Sequence, residues 1–122
     1  MLAIVRIDQP SDGPEFMDKA EAALGAFAGC KGFERGWFAR STDEPGAWVL
    51  ATVWDSFGSY RRALSAYDVK VHAAPFMYAA RNEPSGFEPR LIAVPGAVSR
   101  RDGDLSDDAH RTDIGDFGPR SR

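Results

Sequence analysis

The run Gly46-Ala47-Trp48-Val49-Leu50-Ala51-Thr52-Val53-Trp54-Asp55-Ser56-Phe57-Gly58-Ser59-Tyr60-Arg61-Arg62-Ala63-Leu64 changes character half-way along. Its first half favours extended backbone: Val49, Leu50, Thr52 and Val53 suit a strand, with Trp48 and Trp54 near its ends. Its second half favours a helix. Ser56 can cap the first turn, and Phe57, Tyr60 and Leu64 follow at helical spacing. The strand is apolar on both faces. Trp48, Leu50, Thr52 and Trp54 point one way, and Val49, Ala51 and Val53 the other. A strand with one face in water alternates with polar residues, so this one requires a cover on each side.

Outward from that run, residues 2–8 read as a first strand, again mostly apolar on both faces. Residues 9–15 form a turn that leads into a helix, with Asp12 as cap and Glu15 three residues on, the pattern of a capping box. The helix extends to about Phe27 along an apolar stripe of Phe16, Ala20, Ala23, Leu24 and Phe27, and Gly29 stops it. Residues 33–41 read as a second strand. The turn at 42–46 is short, so this strand and the next form an antiparallel hairpin. Two or three short helical pieces are expected over 56–80, with Asp68 capping one of them, Pro75 breaking the series, and Phe76, Met77 and Ala80 facing inward. Residues 87–94 read as a fourth strand, where Pro89 signals an edge position or a bulge.

The order is therefore strand, helix, strand, strand, helix, strand. That is the α+β, ferredoxin-like βαββαβ plan, with a four-stranded antiparallel sheet and the helices on one face. The other face is apolar and has no cover within the chain. A second copy, packed sheet to sheet about a two-fold axis, is the simplest cover, so a homodimer is expected; the competing cover is the C-terminal tail, whose charged composition argues against it. Residues 1–95 form the domain. Residues 96–122 are charged, mixed in sign and Gly-rich, and read as a disordered tail.

Composition narrows the functional classes. The chain has 122 residues, 43% of them hydrophobic, and a formal net charge of −3. One domain of that size and charge does not suggest nucleic acid or an anionic membrane as partner. Cys30 is the single cysteine, which rules out an intrachain disulfide and fits a reducing, cytoplasmic setting. No segment reads as a signal peptide or a membrane span. The histidines, cysteine and carboxylates have no metal-ligand spacing, and no glycine-rich phosphate loop follows a strand. No cofactor is expected.

Residues 48–61, Trp48-Val49-Leu50-Ala51-Thr52-Val53-Trp54-Asp55-Ser56-Phe57-Gly58-Ser59-Tyr60-Arg61, resemble the strand-to-helix signature of the antibiotic biosynthesis monooxygenase (ABM) domain family. The spacing of Phe16 through Phe27 and the lead-in Cys30-Lys31-Gly32-Phe33 are similar to that family too, and the resemblance spans residues 1–94. It implies a dimeric α+β barrel with a pocket between sheet and helices in each subunit. It also implies several chemistries, because some members oxygenate anthrones or quinols without a cofactor and others degrade haem. In the anthrone-oxygenating branch, Trp54 and Tyr60 match the pocket tryptophan and tyrosine. Leu50 stands where that branch has asparagine, and Ala74 falls near its arginine, which His72 or Lys70 would replace. The haem-degrading trio is poorly matched: Ala63 takes the tryptophan position, Arg6 or Asp8 the asparagine position, and only His72 lies near the histidine.

The function this supports is a cofactor-independent monooxygenase acting on a small aromatic polyketide, anthrone or quinol. The substrate supplies the electrons, and the protein supplies a dry pocket, a proton acceptor and a donor for developing negative charge. Trp54, Tyr60 and His72 are the candidate catalytic residues, with Tyr67, Phe76 and Trp37 against the substrate. Each has a plainer role open to it: Trp54 and Tyr60 as core, His72 as a solvent-facing side chain, Tyr67 as the close of a helix. The alternative function is a dimeric ligand-binding or structural module without turnover; haem binding ranks below both.

Overall fold

Ten elements follow one another in the computed structural model, which describes residues 1–9 and 13–102. They are β1 (Leu2–Asp8), α1 (Pro14–Ala28), β2 (Phe33–Arg40), β3 (Ala47–Trp54), α2 (Phe57–Leu64), α3 (Tyr67–His72), α4 (Ala74–Tyr78), β4 (Gly86–Phe87), β5 (Leu91–Val94) and β6 (Ala97–Arg100). The first four strands named form one antiparallel sheet in the order β2-β3-β1-β4. This is the ferredoxin-like arrangement expected from the sequence. Asp12 and the chain beyond residue 102, including most of the segment read as a tail, lie outside the described residues.

Strand register decides which side chains are covered. β3 lies between its two neighbours, with Ile4 opposite Ala51 on β1 and Trp37 opposite Ala51 on β2. Trp48, Leu50, Thr52 and Trp54 are buried beneath the helices, as are Ala3, Val5 and Ile7 of β1. The other face carries Leu2, Ile4, Val49, Ala51 and Val53, only half-buried, and Trp37, which is exposed. Arg35 lies over the Trp37 ring at 5.1 Å. The double-sided apolar character of β3 thus produces one buried face and one that the described residues leave only half-covered.

Local chemistry accounts for the helices. Ser56 accepts a hydrogen bond from the Ser59 backbone N–H at 3.1 Å and caps α2, as its sequence position implied. α1 begins at Pro14, with Gly13 in the cap position, and buries Ala20, Ala23 and Phe27. Three short helices fill residues 57–78, and Pro75 sits in the first turn of α4, where its missing N–H has no partner to lose. Asp68 does not cap α3: the cap position is Ala66, which makes no side-chain bond, and Asp68 falls in the first turn. There the carboxylate meets the positive end of the helix dipole instead.

The chain after α4 departs from the expected single strand at 87–94. β4 is only two residues long, pairing with Leu2 and Ala3 of β1. The chain then builds a separate hairpin, β5 against β6, with Val94 opposite Ala97, so the boundary expected after residue 95 falls in the hairpin's turn and residues 97–100 are strand where a disordered tail was expected. Pro95 and Gly96 make its turn, and Gly96 has a φ of +80°, a conformation that favours glycine. Pro89 has no amide hydrogen for a ladder, so it stands between the two sheets and not within a strand.

Candidate active site

Two aromatic clusters occupy the two ends of β3. At its C-terminal end the Trp54 ring meets Phe33 edge-on at 5.3 Å, Phe27 at 6.1 Å and Tyr60 at 5.7 Å. Trp54 is 1% exposed, and its indole Nε1–H donates to Thr52 Oγ1 at 2.8 Å. That bond satisfies both buried polar groups at once. Tyr60 is buried too, and burial pushes its phenol pKa up, with an opposing pull from Ser85. The phenol is therefore protonated at neutral pH and is a donor, not a base.

At the N-terminal end Phe38 stacks on Trp48 at 5.1 Å, with their planes 14° apart. Phe16 closes on Trp48 at 5.2 Å and on Phe76 at 5.7 Å. Phe76 meets Phe38 edge-on at 5.7 Å. The Trp48 indole donates to the Gln9 carbonyl at 3.3 Å, which holds the end of β1 beside the cluster.

A cavity of about 750 Å³ opens against this second cluster, between the start of α1 and the α3–α4 corner. Its apolar wall comes from Ile7, Phe16, Val71, Pro75 and Phe76. Its polar groups are His72, Gln9, Glu15 and Lys19, the last two paired at 3.3 Å. Small-molecule sites usually measure about 300–1,000 Å³ and combine an apolar lining with a few polar groups, and this cavity has that make-up.

The candidates read from the sequence are thus divided. His72 and Phe76 lie on the cavity, and Trp54 and Tyr60 touch each other in the core away from it. Tyr67 is 78% exposed, and Trp37 stands on the half-covered sheet face; neither borders the cavity. Phe16, Gln9, Glu15 and Lys19 were not singled out as site residues. Phe16 was legible as part of the helix stripe. Gln9 carried no signal, because its place depends on where β1 ends in space. Leu50 is buried and Ala74 half-buried, so neither brings a polar group to the cavity. Among the described residues no group of three or more His, Cys, Asp or Glu side chains could hold a metal ion. No described helix is long and apolar enough to cross a membrane.

No family model matches the chain, and no curated protein does. Solved structures do. SnoaB, a cofactor-independent oxygenase from Streptomyces nogalater, superposes with a TM-score of 0.64 at 24% identity, over 75% of this chain and 93% of SnoaB. A substituted form of SnoaB gives a TM-score of 0.54 at 25% identity, over 66% of this chain and 83% of that one. The fold is that of the antibiotic biosynthesis monooxygenases. An ABM protein from Nitrosomonas europaea agrees, with a TM-score of 0.54 at 17% identity over 68% of this chain and 87% of its own. The ABM resemblance read from residues 48–61 is thereby matched in three dimensions, since that run forms β3 and α2.

Proposed function

We propose that this protein is a cofactor-independent monooxygenase of the ABM kind, acting on a flat phenolic substrate of the anthrone or quinol class. The observation that carries it is the cavity walled by Phe16 and Phe76 with His72 at its edge, in a fold like that of SnoaB. An aromatic substrate would lie against the Phe16–Phe76 wall, which excludes water from one of its faces. His72 takes a proton from the acidic carbon or hydroxyl. The resulting carbanion passes one electron to O₂, and the radical pair recombines to a hydroperoxide. Loss of water then gives the quinone, so one oxygen atom enters the product and the other leaves as water. The substrate is the reductant in every step.

In this proposal the working unit is a homodimer, two copies packed through the half-covered sheet face of Leu2, Ile4, Trp37 and Ala51. Oxygen uptake by the purified protein with anthrone and quinol analogues tests the chemistry. Uptake above the buffer rate that falls at least about tenfold in His72→Ala supports it, since general-base catalysis contributes about 10²–10⁴-fold. Uptake at the buffer rate across the analogues refutes it.

A second reading has its own support. Trp54 and Tyr60, the residues that match the oxygenating branch, are closed into the core. A binding module without turnover needs only the cavity. Saturable binding of the same analogues without oxygen uptake selects that reading.

A further inference from the structure

The cavity against Phe16 and Phe76 has one polar residue that the fold carries inward. Of its polar lining residues, Glu15, Lys19 and His72 are exposed, and Gln9 is half-buried. The ladder between β1 and β3 runs one residue beyond the end of β1, since the Gln9 N–H donates to the Gly46 carbonyl at 2.7 Å. Gln9 therefore keeps the alternation of the strand and falls on the face of Ala3, Val5 and Ile7. That face is the buried one, and Ile7, 1% exposed, is itself part of the cavity wall. An amide thus stands where the period of the strand calls for an apolar side chain.

Both backbone groups of Gln9 are committed. Its N–H is on Gly46, and its carbonyl accepts from Trp48 Nε1 at 3.3 Å. The residue before it is clamped as well. Arg81 Nη2 donates to Asp8 Oδ1 at 2.9 Å and to Glu44 Oε2 at 2.8 Å, and the Arg81 N–H donates to the Arg6 carbonyl at 2.8 Å. What Gln9 has left to offer the cavity is its side-chain amide, and among the described residues nothing hydrogen-bonds that amide. A donor on so fixed a backbone needs little reorganisation when a ligand meets it. The Glu15–Lys19 pair is placed differently: the two side chains are 85% and 65% exposed and satisfy each other, so water competes with any ligand for them.

We propose that the Gln9 side-chain amide is the donor to the substrate oxygen on which negative charge develops. This rests on the oxygenase reading above and adds a requirement to it. When His72 takes the proton, the electron pair left on the substrate spreads to a conjugated oxygen. Gln9 Nε2–H donates to that oxygen, weakly while it is a neutral carbonyl and strongly once it is an oxyanion, so the bond favours the ionised form. The amide is neutral at every working pH and does not compete with His72 for the proton. The site therefore selects a ring system whose ketone or phenol oxygen is conjugated with the position that loses the proton and reaches the end of β1.

Titration of the full chain with dithranol, an anthrone carrying two hydroxyl groups, tests the donor. Without O₂ there is no turnover, and the anion is read by its long-wavelength absorption. Wild type should bind dithranol and lower its pKa below the value in buffer. Gln9→Leu should raise the bound pKa by about one to two pH units. In air its oxygen uptake at saturating dithranol should fall about a hundredfold, with KM changed by less than about threefold. An unchanged bound pKa in Gln9→Leu overturns the donor, even where uptake falls. A lowered pKa in wild type that Gln9→Leu reverses, with no uptake in air, leaves the donor standing and refutes the oxygenase. Binding to wild type with no lowering of the pKa overturns the donor alone, and no binding overturns both. If Gln9→Leu does not fold, Gln9→Glu decides: its carboxylate should raise the bound pKa, and a value no higher than wild type overturns the donor.

Discussion

Replacing Trp54 by phenylalanine separates a core role from a pocket role. In the structure the indole fills the space between Phe27, Phe33 and Tyr60, and its N–H is the partner of Thr52 Oγ1. Phenylalanine keeps an aromatic ring but loses that donor. Thr52 is 3% exposed, so its hydroxyl is left without a partner away from water, at a cost of about 1–3 kcal/mol. The smaller ring also leaves a void of roughly 40 Å³, worth about 1 kcal/mol at about 24 cal/mol per Å³. Trp54→Phe should therefore lose about 2–4 kcal/mol in urea unfolding at fixed protein concentration. At about 4–8 °C per kcal/mol for a domain of this size, the thermal midpoint falls by roughly 10 °C or more. Affinity for aromatic analogues should stay as it was, because the indole does not line the cavity against Phe16 and Phe76. A variant that keeps its stability within about 1 kcal/mol while analogue binding collapses would refute the core assignment.

Other consequences follow from the same contacts. Gly32 has a φ of +92°, and an added Cβ would overlap the Ser59 side chain and lie 2.6 Å from Asp55 Oδ1; Gly32→Ala should destabilise the fold by about 2 kcal/mol or more, read by urea unfolding. The Asp55 carboxyl is held below its ordinary pKa of 3.8, first by the Ser59 hydroxyl, which donates to it at 2.6 Å. Asp8 is lowered chiefly by its hydrogen bond from Arg81, with Nη2 donating to Oδ1 at 2.9 Å. A carboxyl depressed in the folded state contributes stability that is full above its unfolded pKa and is lost as pH falls through the folded one. Urea midpoints should therefore drop as pH falls below about 4, and Ser59→Ala should flatten that drop; an unchanged acid limb would show that the bond does not stabilise the ionised form. For His72→Ala, exposed and away from the core, stability should change by less than about 0.5 kcal/mol; a larger loss in urea unfolding would mark a structural role.

Periodicity located the faces of the strands but not the depth or company of a side chain. The alternation in residues 47–54 put Trp48 and Trp54 on one face, and that face is the buried one. Nothing in the spacing told the two tryptophans apart, yet Trp48 belongs to the cluster beside the cavity and Trp54 to the one away from it. The six-residue step from Trp54 to Tyr60 does bring their rings together. It brings them into the core, because α2 lies directly on that end of β3. His72 was legible as a residue near a helix break, and the corner of α3 and α4 is what carries it to the cavity. The hairpin at 91–100 differs from the single strand expected at 87–94 because a short apolar run suits one strand or two alike; Pro95-Gly96 is the turn signal that divides it.

The order of elements, the two-sided β3 and its surplus of apolar surface were set by the sequence itself, since alternation and turn chemistry act over a few neighbouring residues. Which aromatic residues enclose a cavity was decided only in three dimensions. Cavities form where elements distant in the chain fail to meet, here the end of β1, the start of α1 and the α3–α4 corner, and no local pattern records where two such surfaces stop short of contact.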